Sequence, residues 1–155
     1  MNDEFRQFFR EHASYVAESL RRLGVRSGDA EDMTHEVFLS VHKKWGEFDR
    51  ARPAKPWLFA FAFRVASNYR AHSSIQRELL ATGDSAPDKA DSSPDVLARL
   101  EQAAAKQQVY DALLALPMDR RSVFVMHELD GRPMQEIASE LEVPLQTAYS
   151  RLRIA

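Results

Sequence analysis

The sequence predicts an all-α fold: two small helical domains joined by a flexible linker, with the second domain ending in a helix-turn-helix. Three observations support this prediction. Apolar residues recur every three or four positions over most of the chain, and no stretch alternates with the period of two that strands require. Residues 73–93 lose that periodicity and gain Ser, Asp, Pro and Gly. Residues 134–155 have the pattern of two short helices around a tight turn.

The first predicted domain, residues 1–72, contains three helical patterns. The first helix ends at Gly24, and Asp29 is suitably placed to cap the second. The third follows Pro56 and is apolar nearly all round, which predicts a position at the centre of a bundle. The predicted core positions are Phe5, Phe8, Phe9, His12, Val16, Leu20 and Leu23 in the first helix, Ala30, Met33, Val37, Val41 and Trp45 in the second, and Trp57, Leu58, Phe59, Phe61, Phe63, Val65 and Tyr69 in the third.

The predicted linker, residues 73–93, has the composition of a solvated spacer. The second predicted domain, residues 94–155, begins at Ser93-Pro94-Asp95, where Ser suits a helix cap and Pro the first helical position. That helix continues to Pro117, and a further helix is predicted over 121–129. Asp130-Gly131 then turns the chain into the final helix pair.

The final helix pair has the spacing of a helix-turn-helix, whose second helix can enter the major groove of DNA. Pro144 opens the second helix, and Glu142 occupies the turn position where Gly is usual because a left-handed conformation is cheap only for Gly. From this pattern alone, an ordinary helical hairpin packed in a core fits equally well. The side chains predicted to point outward are Gln146, Thr147, Ser150, Arg151 and Arg153.

Composition excludes several classes of protein. The chain has no Cys, which rules out disulfides and thiolate zinc sites. Its longest apolar run, residues 57–63, is too short to span a bilayer, and the N-terminus lacks a signal-peptide core, so we expect a cytoplasmic protein. His35 and Glu36 begin like an HExxH zinc helix, but Leu39 occupies the second histidine position. We expect no metal, no cofactor, no small-molecule substrate and no enzymatic activity.

Two stretches resemble a known family. "DAEDMTHEVFLSVHKKWGEFD" followed by "RPAKPWLFAFAFRVASNY" resembles the second conserved region of bacterial sigma factors of the sigma-70 family, extracytoplasmic-function (ECF) type. "ALLALPMDRRSVFVMHELDGRPMQEIASELEVPLQTAYSRLRIA" resembles their fourth conserved region. The two stretches occur in the family's order on either side of a variable linker. The resemblance implies a subunit that binds core RNA polymerase, directs it to specific promoters and initiates transcription.

The polymerase contact implied by the resemblance falls on the second helix. Helical spacing puts four residues on the face opposite the core stripe, where one exposed Leu among polar and charged groups suits a docking surface. A solvated acidic face with one stray Leu is the alternative. His35 occupies a position where the family usually has Gln. The predicted core-polymerase contacts are Asp32, His35, Glu36 and Leu39.

The DNA contacts implied by the resemblance fall in two places. The third helix and the loop before it are expected to bind the melted −10 strand through cations and polar groups: Arg50, Arg52, Lys55, Arg64, Asn68 and Arg70. This chain has Ala60 and Phe63 where family members often carry basic residues. The last helix is expected to read the −35 duplex with Gln146, Thr147, Tyr149, Ser150, Arg151 and Arg153, and Tyr149 occupies a common Lys position.

Charge limits how this chain can bind DNA. Residues 1–72 have 12 bases and 10 acids, residues 73–94 have 2 and 4, and residues 95–155 have 7 and 9. Affinity for duplex DNA depends largely on phosphate neutralisation, which this balance hardly supplies. A sigma subunit does not need it, because polymerase supplies the non-specific grip and the two modules act together on one platform.

Further partners and alternatives follow from the same resemblance. It implies an anti-sigma factor, often membrane-bound in the family, that can hold the protein at the inner membrane. Two other interpretations stay open. The chain could be a free-standing helix-turn-helix regulator that binds duplex DNA without polymerase, usually as a symmetric dimer. It could also be a sigma-like helical adaptor that binds protein partners without promoter recognition.

Overall fold

The computed structural model describes residues 3–79 and 94–155 of the chain. Within these residues it contains seven α-helices and no strand, which confirms the all-α prediction. The predicted linker is only partly covered: residues 73–79 belong to the third helix, and residues 80–93, with the predicted cap Ser93, lie outside the described residues. The helices are α1 (Asp3–Arg22), α2 (Ala30–Lys43), α3 (Ala54–Leu79), α4 (Pro94–Ala115), α5 (Met118–Phe124), α6 (Met134–Glu140) and α7 (Leu145–Ile154).

The first three helices pack into a bundle around the predicted apolar stripes. In α1 the buried stripe residues are Phe5, Phe8, Val16 and Leu20, and Leu23 just beyond the helix end is fully buried. The central helix α3 is apolar on several sides because it packs against both α1 and α2. It buries residues on adjacent positions: Leu58, Phe59, Phe61, Ala62, Val65 and Ala66. Phe38 on α2, which the periodicity argument leaves out, is also buried.

The end of α1 follows the sequence prediction. Gly24 has φ +105°, a left-handed conformation that is cheap for glycine, and the chain reverses there. The amide of Val25 donates to the Leu20 carbonyl at 3.0 Å, and the Gly24 amide donates to the Arg21 carbonyl at 3.0 Å. These two bonds satisfy carbonyls that the helix itself leaves unpaired.

The predicted capping role of Asp29 is wrong. Asp29 precedes α2, but its side chain makes no capping hydrogen bond to the helix. Its Oδ2 instead accepts a hydrogen bond from the hydroxyl of Tyr69 on α3 at 2.6 Å. The carboxylate therefore ties the start of α2 to α3, and burial together with this bond raises the pKa of Tyr69.

The second half of the chain holds α4 to α7, and one predicted helix differs from the structure. In place of a single helix over 121–129, α5 begins at Met118, directly after Pro117, and changes at Val125 into a π turn that ends at Leu129. The amide of Asp130 donates to the carbonyl of Val125, five residues back, at 3.0 Å. Gly131, with φ +65°, then turns the chain as predicted.

Arg121 is fully buried and bonds to three backbone carbonyls. Its Nη2 donates to the carbonyls of Leu114 (2.9 Å) and Leu116 (2.7 Å), which lie at the end of α4. Its Nη1 donates to the carbonyl of Leu23, at the end of α1, at 2.8 Å. Burial, and secondarily the nearby charge of Arg70, lowers the pKa of Arg121 to about 10, so the group remains protonated at pH 7. One guanidinium thus caps two helices from different halves of the chain.

The helix-turn-helix turn is left-handed at its predicted position. Glu142 has φ +54°. Among the residues that the structure describes, it is the single residue other than glycine with a positive φ. The Val143 amide donates to the Ala138 carbonyl at 3.0 Å, and the Glu142 amide donates to the Ser139 carbonyl at 3.3 Å. Ala138 and Ala148 are both buried, so the two helices approach closely through small side chains.

Replacing Glu142 by glycine is expected to raise the free energy of unfolding by up to about 1 kcal/mol. A left-handed conformation costs a side-chain-bearing residue roughly 1–2 kcal/mol, and the greater freedom of glycine in the unfolded chain offsets part of that gain. Thermal melts of Glu142→Gly and Glu142→Ala make the comparison, because alanine keeps the strained Cβ. A melting temperature for the glycine variant below that of the alanine variant would contradict the strain argument.

Candidate functional site

The predicted polymerase-contact residues all lie on the exposed face of α2. Asp32, His35, Glu36 and Leu39 are each exposed, and Leu39 keeps 66% of its surface accessible. The opposite face of α2 carries the core residues Thr34, Val37, Phe38 and Val41. The structure therefore brings the four predicted residues onto one surface, as their spacing predicts.

A groove between α1 and α2 runs beside this surface. His35 and Leu39 line it, together with Phe5, Arg6, Phe9, Arg10, Phe38 and His42, whereas Asp32 and Glu36 lie outside it. The rings of Phe9 and His35 are parallel, with centroids 5.9 Å apart, and Phe9 meets Phe38 edge-on at 4.6 Å. The groove thus has an aromatic floor, Arg6 and Arg10 on the α1 side, and the carboxylates of α2 beyond its other edge.

The predicted −10 residues are divided among three surroundings. Arg64 and Asn68 are exposed on one side of α3. In the loop before α3, Arg50 is bound by Glu4, with Nε and Oε1 2.6 Å apart, and it also lies over the ring of Trp45. The other two cations of this region are also exposed. Arg52 lies in the loop, with its Nε 3.5 Å from Oδ2 of Asp49. Lys55 lies in the first turn of α3, over the ring of Tyr15.

Arg70 lies apart from the other predicted −10 residues. It is half-buried, and its Nη1 approaches the sulfur of Met118 at 4.0 Å. Its Cδ lies 3.5 Å from the position that a Cβ on Gly24 would take. Arg70 therefore faces α5 and the end of α1, and the structure does not bring it together with Arg64 and Asn68.

Helix α7 presents most of the predicted −35 residues to solvent. Gln146, Tyr149, Ser150 and Arg153 are exposed, and Thr147 is half-buried. Tyr149 keeps 52% of its surface accessible, although it also fits the apolar pattern of the helix. Arg151 is half-buried, and its Nε lies 3.4 Å from Oδ2 of Asp119 at the start of α5. That partly exposed ion pair orients Arg151 toward the start of α5 in the free chain.

A crevice separates α3 from the helix-turn-helix. One wall carries Arg64 and Asn68 among residues of α3, and the facing wall carries Glu140, Glu142 and Arg151. Residues predicted to contact two different DNA elements therefore line the same crevice. Three acids, Asp119, Glu140 and Glu142, line it as well.

Polar contacts between α1 and the second half of the chain hold the two halves together. Asp130 accepts hydrogen bonds from the hydroxyl of Tyr15 at 3.0 Å and from Nη1 of Arg22 at 3.3 Å. Glu18 lies one helical turn after Tyr15 on α1. Its Oε2 is 2.8 Å from Nζ of Lys106, and its Oε1 accepts a hydrogen bond from the hydroxyl of Tyr110 at 2.8 Å. Tyr15, Glu18 and Arg22 share one face of α1, so a single helix face carries both clusters.

The titration of these groups reflects their surroundings. Burial, with the negative charge of Asp130 next, raises the pKa of Tyr15. Burial also raises the pKa of the Glu18 carboxyl, but the hydrogen bonds from Lys106 and Tyr110 outweigh it and leave that pKa lowered. Glu18 is therefore ionised at neutral pH, and two of the contacts that stabilise its charged form, those with Lys106 and Tyr110, join α1 to α4.

Sequence reasoning did not identify Arg121, Asp119 or the α1 residues that bind Asp130. Arg121 could have been noticed as a charged residue at the start of an apolar helical stretch. Val123 and Val125, which follow it, are both buried. Tyr15 and Asp130 are 115 residues apart in sequence, and neither belongs to a local motif. The pair of Arg132 and Glu140, close to the helix-turn-helix, was also missed.

In the part of the chain that the structure describes, no three His, Cys, Asp or Glu side chains are grouped as a metal site would require. Among those residues, no helix has both the length and the apolar character needed to cross a membrane.

Comparison with protein families yields two matches on this chain. Residues 8–75 match the family model for sigma-70 region 2, and residues 106–155 match the model for sigma-70 region 4. The region 2 match spans α1 to α3, including the exposed face of α2. The region 4 match begins inside α4 and includes the helix-turn-helix.

Similar proteins include two curated RNA polymerase sigma factors. The ECF RNA polymerase sigma-E factor of Escherichia coli K12 is 30% identical over 138 residues, which cover 83% of this chain and 70% of that protein. The RNA polymerase sigma factor CarQ of Myxococcus xanthus is 31% identical over 144 residues, covering 88% of this chain and 76% of the relative.

Two solved structures share the fold at lower sequence identity. CnrH, solved in complex with the cytosolic domain of CnrY, has a TM-score of 0.67 and 22% identity, and the match covers 99% of this chain and 84% of CnrH. The sigma factor RpoE from Bartonella quintana, solved with the anti-sigma factor NepR, has a TM-score of 0.69 and 18% identity, covering 98% and 91% of the two chains.

Proposed function

Because this chain belongs to the sigma-70 family as a sigma factor of the ECF type, we propose that it binds core RNA polymerase through α2 and directs it to promoters through α3 and α7. The observation that carries the polymerase assignment is the exposed face of α2. Leu39 is a large apolar side chain left 66% accessible beside an aromatic groove, with Asp32 and Glu36 on the same helix. An apolar anchor with flanking charges is the composition expected of a protein-docking surface.

For the −10 element, we propose that the melted strand follows the exposed side of α3. Arg64 and Asn68 supply a cation and an amide on that side, and Arg52 adds an exposed cation in the preceding loop. Lys55 lies over the ring of Tyr15, on the opposite face of α3 from Arg64, and contributes less. Single strands bind to such cationic tracks, with aromatic rings as stacking platforms. Arg50 can contribute only if its ion pair with Glu4 yields to a phosphate, and Arg70 faces α5 and contributes least.

For the −35 element, α7 is the proposed reading helix. Its exposed Gln146, Ser150 and Tyr149 can reach base edges or phosphates in the major groove. Arg153 is exposed, and Arg151 can turn outward from Asp119 when a phosphate or a guanine offers a better acceptor. Two cations neutralise few phosphates, so this helix chooses among promoters while polymerase supplies the grip.

Further features of the proposal concern regulation and place of action. We propose an anti-sigma factor as a second protein partner, which the solved neighbours with CnrY and NepR support. We propose that the protein acts in the cytoplasm, where a membrane-bound anti-sigma factor can hold it at the inner membrane. We propose no catalytic activity, because the residues assembled on these surfaces serve to bind macromolecules.

Run-off transcription with core polymerase on a promoter library tests the proposal. We expect this chain to select a subset of promoters that have a common −35 and −10 sequence, and to bind duplex DNA very weakly without polymerase. Tight, sequence-specific binding by the chain alone at physiological salt would overturn the sigma assignment and favour a free-standing regulator. Failure to bind core polymerase at all would favour a protein-binding adaptor.

Matched variants separate the two proposed surfaces. Arg151→Ala is expected to reduce transcription from −35-dependent promoters by about tenfold, since one good base contact contributes about 1–3 kcal/mol, and to leave core binding unchanged.

Asp32→Ala with Glu36→Ala should weaken core binding without affecting stability, because both carboxylates are exposed. Equal effects of the two changes on core binding would contradict the division of roles.

A further inference from the structure

The exposed face of α7 consists of two parallel rows of side chains. Residues four apart on an α-helix differ by only about 40° around its axis, so each row runs almost along the helix. One row is Leu145, Tyr149 and Arg153, its neighbour is Gln146, Ser150 and Ile154, and all six residues are exposed. Ala148, on the opposite side of the helix, is fully buried.

Large apolar side chains occupy three of these six positions. Leu145, Tyr149 and Ile154 keep 39%, 52% and 55% of their surface accessible. Leu145 and Tyr149 lie one turn apart in the same row, with Cβ atoms about 5–6 Å apart, so their side chains form one apolar patch. Neither residue belongs to the hydrophobic core of the described part of the chain. The patch therefore faces outward, toward the DNA that a helix-turn-helix receives at its second helix.

The first six residues of α7 present no charge on this face. Leu145, Gln146, Tyr149 and Ser150 are neutral, whereas Arg153 lies in the last turn. In a helix-turn-helix, the N-terminal residues of the second helix contact the base edges. The part of α7 that is suitably placed to contact bases is therefore neutral, and half of its exposed residues are apolar.

Base edges in the major groove offer different partners to such side chains. The C5 methyl group of thymine is the apolar group that leucine or an aromatic ring can contact there. A glutamine amide binds adenine with two hydrogen bonds, at N6 and N7. Guanine is read most often by Arg or Lys, which the neutral part of the α7 face lacks.

We propose that the first two turns of α7 read neighbouring A·T pairs of the −35 element. Leu145 and Tyr149 together hold the C5 methyl of a thymine, and Gln146 forms two hydrogen bonds with an adjacent adenine. This inference rests on the proposed −35 role of α7 and deepens it by naming the bases. Leu145 is not among the −35 contacts predicted from the sequence.

Two altered bases test these contacts in the holoenzyme. Run-off transcription first selects a −35 sequence from a promoter library. Each thymine is then replaced by deoxyuridine, which lacks only the C5 methyl, and each adenine by 7-deazaadenine, which has a C–H group in place of N7. We expect transcription to fall about threefold to fivefold on deoxyuridine at one or two positions, the effect of one buried methyl group. At an adjacent position, 7-deazaadenine should reduce it about threefold to tenfold through one lost hydrogen bond.

Protein variants assign each effect to a side chain. Leu145→Ala with Tyr149→Ala should use thymine and deoxyuridine promoters equally, and either single change should weaken the preference, which keeps the test decisive if the double variant does not fold. Tyr149→Phe should retain the preference, because the ring makes the contact. Gln146→Ala should abolish the effect of 7-deazaadenine.

Leu97→Ala is the matched control for these variants. It removes the same side-chain atoms as Leu145→Ala from a leucine on α4 that is 65% accessible, and it should leave both base preferences intact. Titration with core polymerase establishes that each variant still forms the holoenzyme. A loss of the thymine preference in Leu97→Ala would show that the preference does not arise at α7 and would overturn the inference.

The remaining outcomes separate this inference from the proposed function. Equal use of thymine and deoxyuridine at every −35 position would overturn the inference, as would a deoxyuridine effect of the same size in the wild type and in the Leu145 and Tyr149 variants. A selected −35 sequence without neighbouring A·T pairs would also overturn it. In each of these cases the holoenzyme still transcribes, so the sigma function stands. Transcription from no promoter of the library would overturn the proposed function and this inference together.

Discussion

Replacing Arg121 by alanine is expected to lower the free energy of unfolding by about 3–5 kcal/mol, the largest stability loss of any single change proposed for this chain. The substitution leaves three carbonyls without their donor, and each buried acceptor left unsatisfied costs about 1–3 kcal/mol. It also opens a space where a fully buried side chain had been. Water entering that space limits the total.

Thermal unfolding measures this effect, with Arg120→Ala as the control because it removes the same charge from a half-buried neighbour. For a chain of this size, the expected melting temperature falls by about 10 °C or more. Arg121→Lys should give an intermediate loss, since one ammonium group cannot reach three carbonyls at helix ends. A melting temperature within a degree or two of the wild type would show that water replaces the guanidinium at little cost.

Replacing Leu39 by aspartate is expected to weaken binding to core polymerase by about 100-fold or more. Central apolar anchors of protein interfaces contribute about 2–4 kcal/mol, and a carboxylate buried in their place adds a desolvation penalty. The free protein should remain as stable as before, because Leu39 is 66% accessible and contributes little to the core.

Leu97→Asp is the matched control for this experiment. Leu97 lies on α4 and is 65% accessible, so the substitution introduces the same charge at an equally exposed leucine away from α2. Titration of core polymerase with each labelled variant provides the comparison. Equal affinities of the Leu39 and Leu97 variants would remove α2 from the proposed interface.

Local sequence patterns predicted those features of the fold that depend on neighbouring residues. Apolar periodicity predicted the buried stripe of α1, Gly24 predicted its end, and the helix-turn-helix spacing predicted that the turn lies at Glu142, whose φ is +54°. In each case the determining interactions lie within one or two helical turns. Exposure of the four predicted residues on α2 follows from the same periodicity, because the face opposite a core stripe is solvated.

Features that depend on distant partners could not be predicted in this way. Asp29 has the residue type and the position of a helix cap, yet its backbone is already helical (φ −100°, ψ −8°) and its carboxylate binds Tyr69, 40 residues further along the chain. Arg70 has the composition of a DNA-contacting residue, but its orientation is set by α5. The division of the predicted −10 cations between surroundings arises from tertiary packing, which a single sequence without aligned relatives does not encode in any local pattern.

The extra residue in the π turn determines how the second half of the chain can vary in length. A π turn closes its backbone bond over five residues where an α turn uses four, so it accommodates one extra residue with little change in the direction of the chain that follows. Deleting one residue within 125–129 would therefore give a regular α turn and leave α6 and α7 in nearly the same orientation. The same deletion in a regular α-helix would rotate everything after it by about 100°. The segment between α5 and the helix-turn-helix can thus change in length by one residue while the reading helix presents the same face.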